Sequence, residues 1–168
     1  AMLVTTVDAE EATAGDTITA SCQAYDAFGN PVADVMPRIA VAPTDTGNTT
    51  ADLATQFTRA GRYTITCALE GVASVGVPVE ILPGLPANLA VSRVPDESVY
   101  AVGETVEVAH IVTDQYGNVV DNAPVTKGSA AITGTGPTLT VGASRFRYQG
   151  EGQYRVTVHV DGPTQGGV

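Results

Sequence analysis

Few residues of this 168-residue chain have types and spacings able to do chemistry: two cysteines, two histidines, a single lysine (Lys127) and eighteen carboxylates. Cys22 and Cys67 lack CxxC spacing and cannot make a structural zinc site on their own. Both fall on the inward phase of strand-like segments, so they are expected to join as a disulfide. Closing a loop of about 45 residues is worth roughly 4 kcal/mol in the chain-entropy model, and it requires an oxidising compartment. Two independent buried thiols are the alternative. His110 shares the inward phase of its segment and His159 lies on the outward phase of another, so they make no persuasive triad. His110 reads as a core histidine hydrogen-bonded to backbone. Asp96 and Glu97, like Asp8, Glu10 and Glu11, stand near repeat starts, where hard oxygen ligands can hold calcium. Carboxylates on an acidic chain are more often simply solvated, so calcium is the one cofactor candidate and no other is expected. GxSxG, P-loop, HExxH, dinucleotide and EF-hand patterns are absent, and the chain does not read as an enzyme.

One polar constellation occurs twice. Asp26, Phe28, Gly29, Asn30 and Val32 recur as Asp114, Tyr116, Gly117, Asn118 and Val120. A duplicated functional loop and a structural turn made twice are the two readings. In the second, Asp bonds the turn backbone, Gly tolerates positive φ and Asn suits the turn. The aromatic is expected to fold down over the end of the domain. Every position then has a structural task, and the structural turn is the reading adopted.

The repeat extends beyond the turn. Ala14 to Val35 aligns with Val102 to Ala123 without a gap, and Ala60 to Gly71 aligns with Glu151 to Gly162. Ile18, Ala20, Cys22 and Ala24 alternate with polar residues, as do Tyr63, Ile65, Cys67 and Leu69. Val106, Val108, His110 and Val112 repeat the first pattern, and Tyr154, Val156, Val158 and Val160 the second. Period-two alternation between turn signals predicts half-buried antiparallel strands, and no helical stripe competes with it. The expected fold class is all-β, with two tandem antiparallel β-sandwiches. Residues 1–82 form the first, 83–87 a short Pro-rich linker and 88–168 the second. On this alignment Val168 meets Val77, so the second sandwich is expected to lack most of its last strand, and an open edge invites pairing. Strand-like sequence directly after Met2 leaves no leader, so the chain reads as a mature piece of something longer, with Ala1-Met2 a cloning remnant. The net charge of −10 disfavours nucleic acid and anionic lipid as partners. No stretch reaches the roughly 20 apolar residues of a membrane span, so no insertion is expected.

The turn, the later G-x-Y-x-[IV]-T strand and the "PGLPANL" joint together resemble bacterial immunoglobulin-like domains, the modules of invasin and intimin stalks. Antibody-type domains fit less well: the core Trp is missing, and Tyr63 lies four residues before Cys67 rather than two. The resemblance implies two immunoglobulin-like sandwiches in a secreted or cell-surface bacterial protein, with the periplasm also compatible. It implies a non-catalytic stalk or adhesion module whose partners are neighbouring domains of its parent. A glycan- or protein-binding module is the alternative, with Tyr100, Phe146 and Tyr148 as exposed aromatic candidates. Strand-mediated assembly is a third reading.

Overall fold

The computed structural model describes residues 2–161. Contacts divide the chain into two compact units, Ala1–Gly84 and Leu85–Val168. Both are built from strands alone among the described residues.

The first unit runs β1 (Met2–Val7), β2 (Glu11–Thr13), β3 (Thr17–Tyr25), β4 (Pro31–Val32), β5 (Arg38–Ala42), β6 (Thr49–Ala51), β7 (Ala54–Gln56), β8 (Gly61–Leu69), β9 (Val72–Ala73) and β10 (Val77–Leu82). One sheet has the order β1-β3-β7-β6, with β4 beside β3; the other is β2-β10-β8-β5, with β9 beside β8. All pairings are antiparallel except that of β10 with β2. Because side chains alternate along each strand, Ile18, Ala20 and Ala24 of β3 are buried facing Tyr63, Ile65 and Cys67 of β8. Val79 and Ile81 of β10 and Phe57 fill the rest of this core, and the Phe57 and Tyr63 rings lie 4.9 Å apart.

The second unit runs β11 (Asn88–Val94), β12 (Thr105–Thr113), β13 (Val125–Ala131), β14 (Thr138–Gly142), β15 (Arg145–Tyr148) and β16 (Tyr154–Val160). Its first sheet is β11-β12-β15-β14, and β13 pairs with β16 alone in the second. Val106, Val108, Val112, Val120 and Phe146 are buried. The inward residues of β16, from Tyr154 to Val160, are only half-buried, unlike those of β8. The stretch aligned with β10 begins beyond the described residues.

Two sequence expectations need correction here. His110 keeps the inward phase of β12 but is exposed. Its counterpart Cys22 is drawn against the opposite sheet by a covalent bond, with Cα–Cα 5.8 Å to Cys67. In the second unit Val158 stands where the first has Cys67, so no disulfide joins the two sheets there. Phe28 is 89% exposed rather than folded down, whereas Tyr116 at the same turn position is half-buried.

Candidate functional site

The repeated turn shows how its residues use their polar atoms. Asp26 Oδ1 accepts the Phe28 and Asn30 backbone N–H groups at 2.8 and 2.9 Å, and Oδ2 accepts Asn30 Nδ2 at 3.0 Å. The Asp26 N–H donates to the Asn30 carbonyl at 2.9 Å, and Gly29 N–H to the Asp26 carbonyl at 3.2 Å. In the second unit Asp114 Oδ1 accepts Tyr116 and Asn118 N–H, both at 2.9 Å, and Oδ2 accepts Asn118 Nδ2 at 2.7 Å. The two backbone bonds recur at 2.9 and 3.1 Å. Gly29 and Gly117 both sit at φ 84°, where an L side chain is strained. Carboxylate, amide and glycine therefore close one ring, and their donors and acceptors point at each other rather than outward.

The two copies differ in their surroundings. Asp114 is fully buried and Asn118 nearly so, while Asp26 is half-exposed and Asn30 exposed. Asn88 Nδ2 donates to the Asp114 carbonyl at 3.2 Å, adding a tie to β11. The hydrogen bond from the Asn30 side chain, followed by that from its backbone, holds the Asp26 carboxyl below its ordinary value of 3.8. A depressed carboxyl contributes stability that is fully present above the unfolded value and is lost as pH falls through the folded one. A carbon-detected NMR titration should find the Asp26 midpoint below 3.8, and Asn30→Ala should move it back up. A midpoint indifferent to Asn30→Ala would count against the geometry.

Cys22 and Cys67 are joined in a disulfide across the two sheets of the first unit. Cys67 is fully buried, and its N–H donates to Thr5 Oγ1 at 2.9 Å and Ser74 Oγ at 3.1 Å. Leu3, Ala24, Ile39 and Leu69 pack round the bridge. In register, Ile39 lies opposite Cys67, and Lys127 lies opposite Val158 in the second unit. Lys127 turns inward and donates to the Val108 carbonyl at 2.5 Å and to Ser144 Oγ at 2.7 Å. An ammonium clamp thus crosses between the sheets in the unit without a disulfide. Sequence reasoning missed this role, although a single lysine on the inward phase of a strand was its signal.

The calcium candidates are not brought together. Asp96 is paired with Arg93 at 2.9 Å, and the Glu97 N–H donates to Tyr100 Oη at 3.1 Å. No group of three or more His, Cys, Asp or Glu residues positioned for a metal occurs among the described residues. His110 and His159 are both exposed, on β12 and β16, and His159 lies 3.6 Å from Asp161.

The aromatic candidates do not form a platform. Phe146 is 1% exposed, because its position on β15 opposite Val106 faces the core, so it is withdrawn as a surface candidate. Tyr148 is half-buried against Tyr154 with ring centroids 4.6 Å apart. Tyr100 donates to the Pro95 carbonyl at 2.7 Å and lies under the Arg93 guanidinium. Tyr100, Tyr148 and Tyr154 instead line an open groove of about 1130 Å³ within the second unit. No helix among the described residues is long and apolar enough to cross a membrane.

No protein-family model matches the chain, and no curated protein does. Solved structures do. The Escherichia coli adhesin FdeC aligns at TM-score 0.52 and 20% identity, over 96% of this chain and 60% of that one. InvD of Yersinia pseudotuberculosis aligns at TM-score 0.50 and 17% identity, over 94% of this chain and 54% of that one. The chain thus spans little more than half the length of these two structures. The likeness is one of fold: the chain carries immunoglobulin-like β-sandwiches of the kind found in these bacterial proteins.

Proposed function

We propose that the chain is a non-catalytic stalk or spacer module of a larger bacterial protein, secreted or held at the cell surface, that takes part in adhesion. The observation that carries this reading is the repeated turn, whose polar groups close on one another in both units. A binding loop keeps donors or acceptors free for its ligand, and this loop spends them on its own backbone. The other reactive groups are also committed to the fold: the cysteines to each other, and the lysine to a carbonyl and a hydroxyl. The fold shared with FdeC supports the adhesion context. A disulfide supports an oxidising location. On this reading the partners are neighbouring domains of the parent, while nucleic acid and membrane interior are not partners. Neither cofactor nor calcium is needed.

The test is a glycan array and a host-surface binding assay with the full chain, beside the Tyr148→Ala variant. The expected result is no binding above background by either protein. Saturable binding that Tyr148→Ala abolishes would overturn the spacer reading in favour of a ligand-binding module.

A further inference from the structure

The disulfide of the first unit is a reactive bond whose two ends stand in unlike surroundings. Cys67 is 0% exposed, whereas Cys22 is only half-buried. The strands beside them differ in the same sense. Along β8, β5 closes one edge with Ile39 opposite Cys67. On the other edge β10 pairs from Gly61 to Ile65 and β9 with Ala68 and Leu69. Between those two, the Ser74 N–H donates to the Cys67 carbonyl at 2.9 Å. Along β3, β1 closes one edge with Thr5 opposite Cys22. On the other edge β7 pairs only with Thr17, Ile18 and Thr19, and β4 only with Ala24 and Tyr25. The Ala20 N–H still reaches the Leu53 carbonyl at 2.8 Å. Ser21, Cys22 and Gln23 have no strand on that side among the described residues, so the first sheet has a window at Cys22.

We propose that this bridge is a redox-sensitive latch, opened by a small thiol that enters through the window and attacks Cys22. The latch rests on the stalk reading for its use, since it sets how far the first unit lengthens under load. A thiolate displaces sulfur along the line of the S–S bond, so it approaches from behind the sulfur it attacks. Behind Cys22 stands the first sheet with its window, and behind Cys67 the second sheet, closed along both edges of β8. The incoming thiolate bonds to Cys22 Sγ, the S–S bond breaks, and Cys67 leaves as the thiolate and takes a proton from water. The small thiol is oxidised into the mixed disulfide and Cys67 is reduced, with no further reductant required.

Cys67 is held ready to reverse the step. Its N–H bonds Thr5 Oγ1 and Ser74 Oγ at 2.9 and 3.1 Å, and Leu3, Ala24, Ile39 and Leu69 pack around it. The rest of the core, from Ile18 and Phe57 to Ile65 and Ile81, keeps the two sheets together without the bridge. The Cys67 thiolate then attacks Cys22 Sγ, expels the small thiol and closes the latch. Cys22 thus accepts the adduct and Cys67 resolves it. The second unit carries His110 and Val158 at these positions and has no such latch.

The experiment incubates the full chain with 2-mercaptoethanol, a neutral thiol that the net charge of −10 does not repel. The mixture is quenched in acid, denatured, alkylated and digested, and mass spectrometry reads which cysteine carries the adduct. The expected result is at least about ten times more adduct on Cys22 than on Cys67, falling towards equality when the incubation is done in denaturant. On dilution of the thiol, the adduct should disappear at a rate independent of protein concentration as the bridge re-forms. Equal adducts on the two cysteines of the folded chain would overturn the proposal, because reduction would then pass through unfolding. No adduct without denaturant, or an adduct that persists on dilution, would overturn it as well. None of these readouts depends on glycan or host-surface binding, so failure here leaves the stalk reading to its own test.

Discussion

Replacing both Cys22 and Cys67 by Ala should lower the stability of the first unit by about 3–4 kcal/mol and leave the second unit unchanged. The bridge closes a loop of 45 residues and ties β3 to β8 across the core. Its loss releases the unfolded chain and removes the cross-link between sheets. For a domain of this size such a loss corresponds to a fall in unfolding midpoint of roughly 12–30 °C. Alanine is the replacement of choice, because serine would bury a hydroxyl where Cys67 is fully enclosed. Calorimetry of the full chain should show the first unit's transition moving and the second unit's staying in place. Coincident movement of both, or none, would contradict the independence of the units or the contribution of the bridge.

The second large effect is at Asp114. Asp114→Ala removes the acceptor for two backbone N–H groups and the Asn118 side chain, all around a fully buried position. Buried donors left without partners cost about 1–3 kcal/mol each, and partial relaxation brings the sum to roughly 3 kcal/mol. Asp26→Ala removes the same bonds on paper, but water can replace the acceptor at Asn30 and beside the exposed Phe28. Its effect should be a small fraction of that at Asp114. Asp114→Asn keeps one acceptor and sets two amide groups against each other, so it should fall between. Chemical denaturation of the three variants checks the order, and equal losses at Asp26 and Asp114 would show that burial is not what weights the two turns.

The same distinction explains what could be read from sequence. Alternation assigns a side chain to a face, and the long strands β3, β8 and β12 carry enough alternation to make their inward residues legible. Ile18, Ile65, Val106 and Val108 are buried as their phase requires. Alternation does not say whether anything covers that face. His110 has the phase of Cys22 and lies exposed, where no disulfide draws the opposite sheet over it. Phe28 and Tyr116 occupy one motif position and differ in exposure for the same reason: covering depends on neighbours far along the chain. Phe146 lies outside the alternating segments that the sequence shows, and only the pairing of β15 with β12 puts it opposite Val106. The two- and three-residue strands β2, β4, β6, β7 and β9 have too few positions to show a period at all. Within the turn, the Asp-to-Asn spacing carries the ring of hydrogen bonds in one short segment, so local chemistry suffices to read it. The Lys127 clamp joins β13 to β12 and Ser144; its inward phase was legible, but its partners lie far along the chain.

Single-molecule pulling on the full chain tests whether these units serve as mechanical structure. Each unit should give a separate unfolding event. With the disulfide intact, the first unit should lengthen by about 150 Å less than in the Cys22→Ala, Cys67→Ala variant, since the segment from Cys22 to Cys67, a sequence separation of 45, stays locked. A chain that extends smoothly like an unfolded polymer, or a lengthening unaffected by loss of the cysteines, would contradict it.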